Sequence, residues 1–193
     1  MAATEQVILV DLDDKPLGTA EKLDAHRKGL CHRAFSVFIY RQLAEFEVLL
    51  QKRAKEKYHS GGLWTNTCCS HPRPGEETRA AAERRLLEEM GLRIALESTG
   101  QFHYIAHFEN GLTENELDHV FVGELTNQEI RPNPSEVEDY RWVAVSDLRK
   151  EIAENPSLFT PWVLQALGFV DHYQRSLFLD TRNLGGQSSL NQL

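Results

Sequence analysis

Apolar residues along the first half of the chain alternate with polar ones or gather in short blocks, a pattern of strands more than of helices. Residues 6–10 (QVILV) read as a short strand, ended by Asp11–Lys15 and Pro16-Leu17-Gly18. A helix is predicted from Thr19 or Ala20 to Lys28, stopped by Gly29. In 33–40 (RAFSVFIY), Phe35, Val37 and Ile39 share one face and Phe38 and Tyr40 the other. That strand is predicted to be central and covered on both sides. Arg41–Glu45 turns the chain into a second strand, 46–53 (FEVLLQKR), giving an antiparallel hairpin. The polar run 54–63, ending in Gly61-Gly62, reads as flexible, and the prolines of 66–75 (NTCCSHPRPG) exclude a regular helix there.

Residues 78–90 (TRAAAERRLLEEM) contain neither Pro nor Gly and predict a helix, with Thr78 as N-cap and Gly91 as C-cap. Ala82, Leu86 and Met90 form its apolar stripe, and Arg84/Glu88 and Arg85/Glu89 can pair four residues apart. Strands are predicted near 92–96, 100–108, 117–125 and 138–144. A helix capped by Ser146 or Asp147 runs to Glu154, stopped by Asn155-Pro156, and a last helix starts at Thr160-Pro161 and runs through Phe169 or beyond. There is no internal repeat and no regular βαβ alternation, so the fold class is α+β, with mixed and antiparallel strands sandwiched between helices. Residues 1–180 are expected to form a single domain and the polar segment 181–193 a loose tail.

Composition narrows the function. At 193 residues, 41% hydrophobic and 26% charged, the chain fits one soluble domain able to bury a core. It has no run of eighteen apolar residues, and its acidic N-terminus lacks the basic and apolar regions of an export signal, which points to the cytoplasm and away from membranes. Three cysteines, two adjacent, fit free thiols in a reducing compartment. A net charge of −8 argues against nucleic acid as the partner. A small anionic ligand needs only a local basic cluster or a bound cation.

Candidate chemistry gathers around the 66–75 run. His26, His32 and His71, with Glu114 and Glu116, could supply an octahedral nitrogen and oxygen site for Mn²⁺, Fe²⁺, Co²⁺, Zn²⁺ or Mg²⁺. In an extended segment Glu114 and Glu116 fall on one side, where they repel unless a cation lies between them. Scattered histidines also serve as surface or core residues, and spacing leaves that alternative open. Cys68 and Cys69 point opposite ways in an extended chain, so one can face a pocket while the other packs. Lys52, Arg53, Lys55, Lys57, Arg73 and Arg85 are the basic candidates for an anion, and Tyr104, Trp64 and Trp162 serve as core fillers or, through an indole face, as a cradle for positive charge.

The segment from Gly75 to Leu92 resembles the Nudix box, closing on Arg84-Arg85-Leu86-Leu87-Glu88-Glu89-Met90-Gly91-Leu92. Ala81 and Arg85 stand where that box carries glutamates. The same two departures, together with Trp64-Thr65-Asn66-Thr67-Cys68-Cys69-Ser70-His71-Pro72, Glu114-Asn115-Glu116, His26, His32 and Trp162, resemble the type I isopentenyl-diphosphate isomerase family over about residues 5 to 168. The resemblance implies a Nudix-like fold and a monomer acting on a small isoprenoid diphosphate. It implies a divalent metal (Mn²⁺, Zn²⁺ or Mg²⁺) on His26, His32, His71, Glu114 and Glu116, and Mg²⁺ helped by Glu89 on the diphosphate. Arg53, Lys57 and Arg85 match diphosphate-binding positions. Cys69 matches one proton-transfer group, Glu116 with Tyr104 the opposing one, and Trp162 the residue facing a cationic intermediate. Glu116 would donate the first proton and Cys69 take the second. No flavin or nicotinamide is expected, since no dinucleotide glycine fingerprint is present. The alternatives are a Nudix-type pyrophosphohydrolase and a non-catalytic isoprenoid-diphosphate binding protein.

Overall fold

The doubly apolar run around Val37 becomes the hub of a nine-stranded sheet in the computed structural model, which describes residues 5–57 and 59–185. The elements follow as β1 (Gln6–Val10), β2 (Pro16–Glu21), α1 (Lys22–Lys28), β3 (His32–Gln42), β4 (Phe46–Arg53), β5 (Trp64–Thr65), β6 (Cys68–Ser70) and α2 (Thr78–Met90). Then come β7 (Glu97–His107), β8 (Thr113–Glu124), β9 (Val137–Ala144), α3 (Val145–Glu154) and α4 (Val163–Gly185). One edge of β3 pairs in parallel with β8, from His32↔Glu116 to Tyr40↔Glu124. Its other edge is divided among β1 at His32, β6 at Phe35–Val37 and β4 at Ile39–Gln42. β7 lies antiparallel on β8, β5 and β9 flank β4, and β2 closes the β1 edge.

The period of two in β3 decides what each face meets. Phe35, Val37 and Ile39 pack with Leu49, Phe121 and the α2 stripe of Ala82, Leu86 and Met90. Phe38 and Tyr40 point the other way, into a second core with Val120, Val122, Leu148, Trp162, Val163 and Leu167 beneath α3 and α4. The sheet is thus sandwiched between helices. Cys68 packs in the first core, whereas Cys69 packs against the second, so adjacent thiols serve opposite layers.

Several boundaries differ from the sequence reading for local reasons. Residues 16–21 pair with β1 as a strand, so α1 starts later, capped by the Glu21 carboxylate on the Leu23 and Asp24 amides. Pro16 is tolerated because it opens an edge strand. The cap of α2 is Glu77, whose side chain accepts from Ala80 N–H at 2.9 Å, rather than Thr78, which is buried as the first helical residue. A carboxylate there also suits the positive end of the helix. Residues 92–96 do not join the sheet: Arg93 and Leu96 N–H groups donate to the side chains of Gln128 and Glu83, while Leu92 and Leu96 stay in the core. β8 begins at Thr113, four residues before the predicted start, and so carries Glu114 and Glu116. Two short strands, β5 and β6, occupy the stretch read as irregular. Ser146 and Asp147 lie inside the first turn of α3, which has no side-chain cap, and α4 starts at Val163, after Pro161. α4 continues to Gly185, and residues 186–193 of the expected tail lie outside the described residues.

Leu86 sits in the α2 layer with no exposed surface, and Leu86→Ala is expected to cost about 2–5 kcal/mol in urea denaturation. Arg79→Ala, on the exposed side of the same helix, should stay within about 0.5 kcal/mol. Equal losses would contradict this account of the layer.

Candidate active site

The parallel register of β3 and β8 sets His32 directly beside Glu116. His26 enters from α1, immediately before β3, and His71 follows β6, which lies on the opposite edge of β3. Their Nε2 atoms stand 3.9 Å (His26), 3.3 Å (His32) and 2.8 Å (His71) from a single oxygen, Glu116 Oε1. All four residues are buried. The Nδ1 atoms of His26 and His32 lie 2.7 and 2.8 Å from the carbonyl oxygens of Lys22 and Leu30. A carbonyl only accepts, so Nδ1 carries the hydrogen and the Nε2 lone pair faces the cluster. The His32 and His71 Nε2 atoms approach to 3.2 Å, a separation that requires positive charge or a shared proton between them. A proton on His71 Nε2 can fill that role, but it leaves His71 Nδ1 buried without a partner.

This donor set fits a divalent cation. His26, His32, His71 and Glu116 each offer an atom within 4.8 Å of the others. Burial pushes the His71 imidazole down to about 3, and burial with the neighbouring His32 also lowers His26, so both rings are neutral at pH 7. Burial alone would raise Glu116, yet the adjoining His32 and His71 imidazoles hold its carboxylate well below the ordinary range. Neutral imidazoles and an ionised carboxylate are the forms that bind metal.

Glu114, two residues earlier on the same face of β8, lies next to this set. Its donors group with His26 and His59, with His59 Nε2 3.0 Å from Glu114 Oε1. Tyr104, paired across from Glu116 on β7, has its hydroxyl 2.9 Å from Glu114 Oε2 and 2.5 Å from Glu116 Oε2. Burial and the Glu116 charge raise Glu114 well above the carboxylate range, and burial with the charges of Glu114 and Glu116 raises Tyr104. Tyr104 and Glu114 are therefore biased to hold protons where Glu116 is not.

Cys69, Tyr104, Trp162, Arg53, Lys57 and Arg85 all line one cleft with His71, Glu114 and Glu116, which encloses about 460 Å³ with its mouth included. Burial raises the Cys69 thiol to about 12, against the pull of Arg53, whose Nη1 lies 3.4 Å from the sulfur. Trp162 is anchored by its indole N–H on Asn66 Oδ1 at 3.1 Å. Arg85 bridges Glu89 at 2.6 Å and Glu136 at 3.3 Å, and Lys57 also pairs with Glu136. Glu89 itself is buried and accepts a further bond from Gln51 at 2.9 Å.

Three lining residues escaped the sequence reading. Lys22 belonged to the predicted helix, and His59 lay in the run read as flexible. Asp118 has one buried oxygen without a partner and accepts from Ser36 Oγ at 2.7 Å on the other. Its signal was present, because Glu114, Glu116 and Asp118 are spaced two apart and must share a strand face.

The NUDIX domain family matches residues 31–163. The fold agrees: DR0079 from Deinococcus radiodurans superposes with a TM-score of 0.64 at 16% identity, over 78% of this chain and 90% of that one. The MutT protein from Methanosarcina mazei Go1 gives 0.57 at 18% identity, over 76% and 94%. Fold and sequence thus define a Nudix-domain protein. The isopentenyl-diphosphate Delta-isomerase of Photobacterium profundum is 50% identical over 174 residues, 88% of this chain and 96% of that protein. That of Pectobacterium atrosepticum is 50% identical over 157 residues, 81% and 86% respectively. The chain belongs to the isopentenyl-diphosphate Delta-isomerase family. Among the described residues no helix is long and apolar enough to cross a membrane.

Calorimetric titration of the metal-free protein with Mn²⁺ or Zn²⁺ should show saturable binding. His32→Ala should weaken it at least about 100-fold, since loss of an outer partner alone costs 10–100-fold. Unchanged affinity in that variant would contradict the assignment of the cluster.

Proposed function

We propose that this protein converts isopentenyl diphosphate to dimethylallyl diphosphate, protonating the alkene to a tertiary carbocation and removing a proton from the neighbouring carbon. The observation that carries this reading is the placement of two different proton-transfer groups, Cys69 and the Tyr104–Glu116 pair, in one cleft with an indole. Isomerisation requires two proton transfers to different carbons, and each group needs hydrogen-bond reach to its own. The Glu116 side, where Tyr104 and Glu114 hold protons, is the donor. Cys69 accepts the second proton as thiolate, the form that Arg53 favours; burial opposes that form and raises the thiol to about 12, so the thiol must first give up its proton to solvent. Trp162 presents a π face to the cation, which attracts positive charge without trapping it readily.

His26, His32, His71 and Glu116, with Glu114 beside them, would hold one divalent metal. When bound, it supplies a fixed positive charge that orients the carboxylates and sets their acidity. Arg53, Lys57 and Arg85 form the basic side of the cleft, suited to a diphosphate with Mg²⁺ near Glu89. The substrate is a small molecule and the expected setting is the cytoplasm. Against hydrolysis stands Arg85, at a position where the Nudix box carries a glutamate; it also binds Glu89 directly.

Incubation with isopentenyl diphosphate and Mg²⁺ in D₂O should give dimethylallyl diphosphate carrying deuterium, read by NMR. Absence of both product and label would sink the isomerase reading, and phosphate release in their place would support the hydrolase. Cys69→Ala should lower kcat by at least about 10²-fold, the scale of a lost proton-transfer group. Cys68→Ala, whose thiol is packed in the other layer, should chiefly cost stability; matching kcat losses would contradict the choice between the thiols.

A further inference from the structure

The segment between β4 and β5 was expected to be flexible, yet its base and tip are both anchored. At the base, Arg53 N–H donates to Leu63 O at 2.9 Å and Gly62 N–H to Arg53 O at 3.0 Å, closing residues 53–63 into a loop. The loop is tight: a side chain on Gly61 would come within 2.4 Å of the Lys55 carbonyl, and Ser60 adopts φ +52°, in the left-handed region. That turn directs His59 inward. The imidazole is buried and stacks on Phe108, with centroids 4.8 Å apart and planes at 20°. On its other side His26 lies at 5.8 Å and 28°. Its Nδ1 is 3.2 Å from Ser60 Oγ, a hydroxyl able to donate, which leaves Nε2–H to donate to Glu114 Oε1 at 3.0 Å.

We propose that His59 is a positioning residue: it holds one oxygen of Glu114 while Tyr104 holds the other, and the same bond latches the 54–63 loop over the cleft. Ring stacking fixes the imidazole plane, so the hydrogen bond orients the carboxylate as an outer partner orients a metal ligand. The latch adds to the Lys57–Glu136 pair, which ties the same loop near its start. The Glu114 part of this inference rests on the metal reading above; the loop part does not.

The test uses the full-length protein and Co²⁺, whose absorption bands report ligand type. His59→Ala should weaken Co²⁺ affinity about 10- to 100-fold, with band positions at saturation unchanged. His59→Gln, which keeps an N–H at nearly the same reach, should restore affinity to within a few-fold. Adding His59→Ala to Glu114→Gln should cause no further loss. Wild-type affinity in His59→Ala, or shifted bands showing that a direct nitrogen ligand was removed, would overturn the positioning role. Limited trypsin digestion judges the loop separately: cleavage after Lys55 and Lys57 should be about tenfold faster in His59→Ala. Equal cleavage rates would overturn the latch. If the wild-type protein binds no Co²⁺, the metal reading fails, while digestion still decides whether His59 holds the loop.

Discussion

A single carboxylate oxygen, Glu116 Oε1, faces three buried imidazole nitrogens, and much of the cleft is arranged to make that tolerable. An ionised carboxylate without compensation is costly to bury. Here it is offset by hydrogen bonds from His71 and Tyr104 and by the adjacent His32 ring, and those partners arrive from distant places in the chain. β3 and β8 must pair in parallel and in this register for His32 and Glu116 to meet. A one-residue slip would turn every side chain of β8 to the opposite face and take Glu114, Glu116 and Asp118 out of the cleft together. Fold specificity and site assembly are therefore the same constraint.

The same geometry explains how a Nudix scaffold can support proton transfer in place of hydrolysis. Glu89 of α2 is buried behind the cleft, held by Arg85, which also reaches Glu136, and Lys57 pairs with that same Glu136. Arg85 from the helix and Lys57 from the loop after β4 thus stand as fixed cations in the cleft wall, each paired with a carboxylate. The groups proposed to react come from the strands: Cys69 from β6, Tyr104 from β7 and Glu116 from β8. Strand residues two apart share a face, which lets adjacent strands project a dense polar set into one volume. The long α4 and the preceding Trp162 close the apolar side.

Much of this was legible from the residues. The two-faced run Phe35–Tyr40 announced a central strand because its alternation is unambiguous, and the α2 stripe was readable because helix period and composition agreed. The opposite orientation of Cys68 and Cys69 followed from extended geometry alone. What could not be read depended on partners distant in the chain. Residues 92–96 alternate like a strand, but Gln128 and Glu83 take the amides that a ladder would need. Residues 16–21 have weak strand character and become one by pairing with β1. His59 looked like one polar residue among many, since its burial comes from Phe108 and Glu114, about fifty residues onward. Spacing placed Glu114 with His26, His32, His71 and Glu116, but it could not show that Glu114 also lies with His26 and His59.

The buried imidazoles and Glu116 are read as a metal centre around which the proton-transfer groups are placed, and the rest of the mechanism stands on that claim. Anomalous diffraction at the absorption edge of Mn²⁺ or Zn²⁺, from crystals grown with that ion, tests it most directly. The predicted result is a peak bounded by the Nε2 atoms of His26, His32 and His71 and the Glu116 carboxylate, with ligand distances of about 2.0–2.2 Å. A fully ordered cluster with no anomalous peak among those atoms, or a peak held elsewhere in the molecule, would contradict it.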